Sequence, residues 1–226
     1  MIDTTIAAAA ELVLSTPDGS PADIGVEELV RRVAAHVEAG ELPARRHPIG
    51  FLHIDMSALG GAPPGVDYRL HLWTEISPRA DGLGTIHDHV WALASAVLIG
   101  DLEDVNFVAR ASPNGGDAFV RVSYTPEGND FVPAGSYELS EDRRRAVAAP
   151  MVYRLDAGCL HTTEVLSFPT MTLVVADRRV DGPGQPLVSV AAEAAQEHVG
   201  ARPIISPRDA ADMLRGVLGE RREHGD

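Results

Sequence analysis

A chain of 226 residues with 45% hydrophobic content can bury one sizeable core, and no apolar run approaches the roughly 20 residues that cross a bilayer. Thirty-three acidic residues against 19 basic ones give a formal net charge of −14, which repels a phosphate backbone and argues against nucleic acid as a partner. All 19 basic residues are arginine and Cys159 is the single cysteine, which excludes Schiff-base chemistry, a P-loop lysine, an internal disulfide and a CxxC site.

Residues 1–11 lack the basic start and long apolar core of a secretory signal, so the expectation is a cytoplasmic protein that engages no membrane. Residues 4–14 and 24–39 read as helices. In the second, Val26, Leu29, Val30, Val33 and Val37 fall near helical spacing, Gly40 is placed to end it, and His36 is most simply a surface or partly packed residue. From Gly50 the pattern turns extended, predicting strands over 51–56, 68–76, 85–99, 104–110, 119–125, 151–155, 161–167 and 170–176. The segments 60–65, 81–84 and 113–117 carry the turn residues between them. Eight short strands in that span predict a mainly β fold, a sandwich or small barrel. The triplet Arg143-Arg144-Arg145 follows Glu141-Asp142 and reads as a solvated turn or short helix. Residues 188–198 are alanine-rich and read as a helix, Ser206-Pro207 opens another to about Leu218, and 219–226 reads as a frayed end. The expected division is a helical segment over 1–49, a β-barrel over 50–180 and a helical segment over 181–226, within one structural domain.

Chemistry concentrates in Thr85-Ile86-His87-Asp88-His89-Val90-Trp91. On an extended strand His87 and His89 share one face, with Asp88 on the other, so two imidazoles aim at one point. His161, three residues after Gly158, is the candidate for a third ligand. Imidazole suits zinc, iron, copper and nickel. The bland alternative is a pair of partly buried histidines held by ordinary hydrogen bonds. Cys159 is a packed small residue, a nucleophile or a thiol near the substrate. Trp91 either lines the cavity above the ligands or is a core aromatic. Arg69, His71 and Trp73 share one strand face. If it points inward, Arg69 can pair with a substrate carboxylate and His71 can donate a hydrogen bond; if it points outward, Leu70 and Leu72 fill the core. Tyr153 is a pocket hydroxyl or a core residue. By strand parity Glu164 faces away from His161 and is not a fourth ligand.

With both histidine stretches in view, the chain resembles the cupins, whose first motif carries His-x-His and a closing glycine, matched by His87, His89 and Gly100, and whose second carries Gly-x-x-His, matched by Gly158 and His161. The resemblance covers about residues 50–176 and implies a jelly-roll-like β-barrel. The slot that holds a metal-binding glutamate in many cupins is Leu93 or Ala94 here, which leaves three histidines. That set resembles the thiol dioxygenases of the cysteine dioxygenase type. The resemblance implies a ferrous, dioxygen-using enzyme acting on a small amino-acid-like or thiol-bearing metabolite; a monomer and a homodimer are both open. The family's Ser-His-Tyr trio has no counterpart after His161, its crosslinking cysteine is replaced at Leu93 or Ala94, and its carboxylate-binding arginine gives way near His53. Cysteine itself is thereby disfavoured as substrate. Two other functions stay open: a Lewis-acid cupin isomerase, lyase or hydrolase using zinc, nickel, manganese or copper, and a cupin that binds a small molecule without turnover.

Overall fold

The computed structural model describes residues 1–75, 83–113, 115–125, 128–180, 182–190 and 203–224. Two helices come first, α1 (Thr4–Ser15) and α2 (Val26–Glu38). They are followed by β1 (Ala44–His47), β2 (Phe51–Asp55), the single turn α3 (Ser57–Gly60), β3 (Val66–Trp73), β4 (Leu83–His87) and β5 (Ala92–Ile99). Then come β6 (Asp101–Ala111), β7 (Asp117–Thr125), β8 (Gly128–Ala148), β9 (Val152–Leu155), β10 (Leu160–Val165), β11 (Thr170–Asp177), β12 (Leu187–Val190) and α4 (Pro207–His224). None of the described helices is long and apolar enough to cross a membrane.

The strands form two antiparallel sheets. The first has the order β1-β2-β3-β11-β5-β9; the second runs β10-β4-β12-β7-β8-β6 and closes where β6 pairs with β10. Helices cover one face of the first sheet. Leu52, Ile54, Leu70, Leu72, Leu173 and Val175 meet Ile6, Val13, Leu29, Val33 and Leu214 there, all buried in one apolar cluster. The other face carries a second cluster of Trp91, Leu93, Val97, Tyr153, Leu155, Val174 and Ala176. β11 is buried on both sides, whereas β3 alternates buried residues toward the helices with half-buried ones on the other face.

Several expected elements are corrected. The predicted strand 85–99 is two strands in different sheets, interrupted at residues 88–91, where the chain passes from one sheet to the other. One strand cannot hydrogen-bond into both sheets, so the ladder must break there. The arginine triplet lies in neither a turn nor a helix but inside the long β8, paired with β6. The start of the predicted helix 188–198 is strand, β12, held between β4 and β7; the rest of that prediction falls outside the described residues. The predicted frayed end is helical as far as His224, since α4 packs on α2 and Arg215 pairs with Glu38. The opening of α4 is as expected, with Ser206 Oγ accepting from the Asp209 amide at 3.1 Å.

Candidate metal centre

Three imidazoles converge at the seam between the strand ends. His161 near the start of β10 lies directly opposite His87 at the end of β4. His89 follows two residues later in the crossing segment, so it does not reach the site by strand alternation. Its placement comes from the bonds on either side. Asp88 accepts the Leu187 amide at 2.6 Å on its carboxylate and donates its own amide to the Leu187 carbonyl at 2.9 Å. The His89 carbonyl accepts the Gly158 amide at 2.8 Å. Gly158, at φ +77°, makes the turn that brings Cys159 and β10 back to the site.

The candidate ligand atoms of His87, His89 and His161 all lie within 4.8 Å of one another, and Nε2 of His161 stands 3.2 Å from Nε2 of His89. Two nitrogens each about 2.1 Å from one ion, at tetrahedral or octahedral angles, stand roughly 3.0–3.4 Å apart, so this pair has chelating separation. Two of the outward nitrogens are engaged. Nδ1 of His87 is 2.8 Å from the Thr85 carbonyl, to which it can only donate, which leaves Nε2 with its lone pair. Nδ1 of His161 is 3.3 Å from Oδ1 of Asp104, a fully buried carboxylate. Asp104 is itself held by Arg145 Nε at 3.0 Å and Asn106 Nδ2 at 3.2 Å, and Arg143 donates to Asn106 Oδ1 at 2.8 and 3.0 Å. A histidine whose far nitrogen is fixed by a carboxylate is the usual arrangement behind a metal ligand. The donor set therefore fits a divalent transition metal.

Burial, reinforced by its histidine neighbours, pushes His87 down to about 3 and His89 well below its ordinary value, which keeps both neutral and able to bind metal at physiological pH. Burial alone would raise Asp104, but His161 and Arg145 outweigh it and hold the carboxyl below its usual range. Among the described residues no carboxylate joins the three histidines as a ligand. Leu93 belongs to the inner cluster and Ala94 to the helix-side one, so neither candidate glutamate slot offers a donor. Glu164 faces away, paired with Arg144 at 3.0 Å.

The remaining sequence candidates are distributed around this centre. Trp91 is 5% exposed and stacks on His89 at 5.2 Å, so it is both a core aromatic and a wall of the site. The guanidinium carbons of Arg69 and Arg178 stand 4.6 and 4.4 Å from its ring centroid. Both arginines pair with one carboxylate, Asp67, at 2.6 and 2.7 Å. The two orientations considered for the predicted strand 68–76 are realised on the two faces of β3. Leu70 and Leu72 fill the helix-side core, and Arg69, His71 and Trp73 occupy the opposite face, the one that carries Val174 and Trp91. His53 is paired across from His71 on that face, with ring centroids 5.5 Å apart. Tyr153 is buried in the inner cluster, and burial pushes its hydroxyl up to about 12. Cys159 is half-buried against the same cluster, and burial raises its thiol, so it is a packed thiol and not a ready thiolate. Asp104, Asn106, Arg143, Arg145 and Arg178 were not among the sequence candidates. Strand parity over 104–106 and 143–145 holds the signal for the first four, once β6 and β8 are known to pair.

The chain is mainly β, two antiparallel sheets with three histidines gathered on facing strand ends and in the sheet crossing, where they could hold a metal ion. The sequence matches no family model and no curated protein. Among solved structures it is similar to the DMSP lyase DddQ from Ruegeria pomeroyi DSS-3, at 14% identity over 88% of this chain and 81% of that one, with a TM-score of 0.40. It is also similar to an oxalate oxidase at 14% identity, 77% and 73% coverage and a TM-score of 0.37. A recombinant oxalate oxidase in complex with glycolate aligns at 14% identity and a TM-score of 0.33 over 60% of this chain, which spans only 55% of that one.

Proposed function

We propose that this protein is a metal-dependent cupin oxygenase that takes a small carboxylate-bearing metabolite, amino-acid-like or thiol-bearing, with ferrous iron and dioxygen. The observation that carries the reading is the donor set: three imidazoles, two with their outer nitrogens fixed by Thr85 and Asp104, and, among the described residues, no carboxylate ligand. Ferrous iron held by His87, His89 and His161 would supply the redox chemistry and leave positions for substrate and dioxygen. Trp91 and the inner apolar cluster exclude water on one side. Arg69 and Arg178 both donate to the carboxylate of Asp67, and Arg69, standing over Trp91, is the cation placed to pair with a substrate carboxylate. Tyr153 and Cys159 retain their protons at neutral pH, so each can serve as a donor and neither as a base.

The test is metal analysis of protein purified without added metal, joined to an oxygen electrode trace after anaerobic ferrous loading and addition of a panel of thiols and amino acids. The expected result is one iron per chain at saturation and substrate-dependent oxygen uptake that disappears in His161→Ala. Turnover of a substrate without oxygen uptake, with zinc or nickel bound, would replace the oxygenase by a Lewis-acid cupin. Folded protein that takes up no metal would sink both.

A further inference from the structure

The pair β2–β3 sorts its side chains by chemistry as well as by face. On the helix side stand Leu52, Ile54, Leu70 and Leu72, each 1% exposed or less. On the opposite face stand Phe51, His53, Arg69, His71 and Trp73, flanked by Asp55 and Asp67, without one aliphatic residue. The rings form a continuous wall. Phe51 lies 4.4 Å from His71 and 4.9 Å from Trp73 between centroids, His71 lies 5.9 Å from Trp73, and His47 stacks on Phe51 at 4.2 Å with its plane only 4° away. Phe51 is buried, but His53, His71 and Trp73 are only half-buried. The wall ends at the metal centre, because Arg69 is the next residue along this face and stands over Trp91, which stacks on His89. On β11 the Thr172 hydroxyl, across from His71, is fully buried and has no hydrogen-bond partner.

A face built only to seal against another layer would resemble the aliphatic side of this same strand pair. Rings aligned and only half-buried present π-faces, which pack best on another flat ring. We infer that this face is a subsite for planar aromatic acids, with the carboxylate at Arg69 and the ring against His71, Trp73 and the edge of Phe51. The inference rests on the proposed metal-dependent reading and deepens it, narrowing the substrate to an aromatic acid, aromatic amino-acid-like metabolites included.

Calorimetric titration of the full-length protein with benzoate and with its saturated counterpart, cyclohexanecarboxylate, tests this, with metal content measured in every sample. Trp73 and Trp91 are the two tryptophans of the chain, so a Trp91→Phe variant leaves Trp73 as the reporter of ring contact by quenching. Benzoate is expected to bind at least tenfold more tightly than cyclohexanecarboxylate. That preference should drop to about twofold in Trp73→Leu, survive in Trp73→Phe, and both acids should weaken in Arg69→Gln. Equal binding of the two acids, or no binding of either, in protein that holds its metal overturns the subsite and leaves the metal centre standing. A benzoate preference in protein that takes up no metal supports the subsite and sinks the metal reading.

Discussion

Asp104 determines how His161 presents itself, although it would touch no metal. Its carboxylate accepts from Nδ1, so Nε2 is the nitrogen left for coordination. Asp104→Asn keeps the shape, removes the charge and frees the tautomer, and should weaken metal binding by about 10–100-fold, measured by competition with a chromophoric chelator. A second outcome at this scale follows from His87. Its folded pKa, about 3, lies below the roughly 6.5 of an unfolded histidine, so the unfolded chain takes up the proton first. The metal-free protein is therefore unpenalised above pH 6.5 and loses stability steadily as pH falls from there toward 3. Denaturation midpoints of metal-free protein at pH 8 and pH 5 should show this slope, and it should be shallower in His87→Gln. The three histidines could be read from spacing because ligand chemistry is concentrated in a few residue types. Asp104 could not, because its role depends on which strand lies beside β10.

At the scale of elements, the alternation of β8 explains the arginine triplet. Arg144 points to one face and meets Glu103, Glu141 and Glu164, while Arg143 and Arg145 point to the other and meet Asn106 and Asp104. A local charge run looks like a solvated turn until a partner strand supplies the counter-charges, and that information is not local. The start of α1 is a different case. Asp3 caps it, accepting from the amides of Thr5 and Ile6 at 2.9 and 3.3 Å, and its second oxygen joins Arg32 and His36 of α2 at 2.9 Å each. Burial works to raise the carboxyl, but these bonds win and hold it at about 2, while Asp3 and Glu41 raise His36. The carboxylate's contribution is present above the unfolded value near 3.8 and is lost as pH falls toward 2. The imidazolium's contribution is full below about 6.5 and is lost as pH rises through its raised value. Asp3→Ala should therefore cost about 1 kcal/mol or more in a thermal melt at pH 5.5, and less both at pH 9 and at pH 2.5.

Across the whole molecule, the weakest join of the second sheet among the described residues is that of β10 with β4, which share one register pair, His161 with His87. Every other neighbouring pair in that ring shares a longer run of register except β4 with β12, which also ends at His87. The seam that supplies the ligands thus has the shortest shared register among the described strands of the ring, and an ion bound there would add a join between β4 and β10. Strand periodicity could indicate a barrel, but a closure that rests on side chains leaves no trace in periodicity, which is why the seam emerged only with the fold. Metal bound to the native state alone adds about 2.7 kcal/mol at a hundredfold excess over its dissociation constant, which for a chain of this size raises Tm by roughly 5–10 °C. The gain should have an address. In hydrogen exchange, the amides of β4 and β10 should slow by more than those of the helix-covered β3 and β11, and His161→Ala should remove both the Tm gain and the local slowing. Uniform slowing across both sheets would instead mean that the ion stabilises the native state as a whole and that the seam is already closed without it.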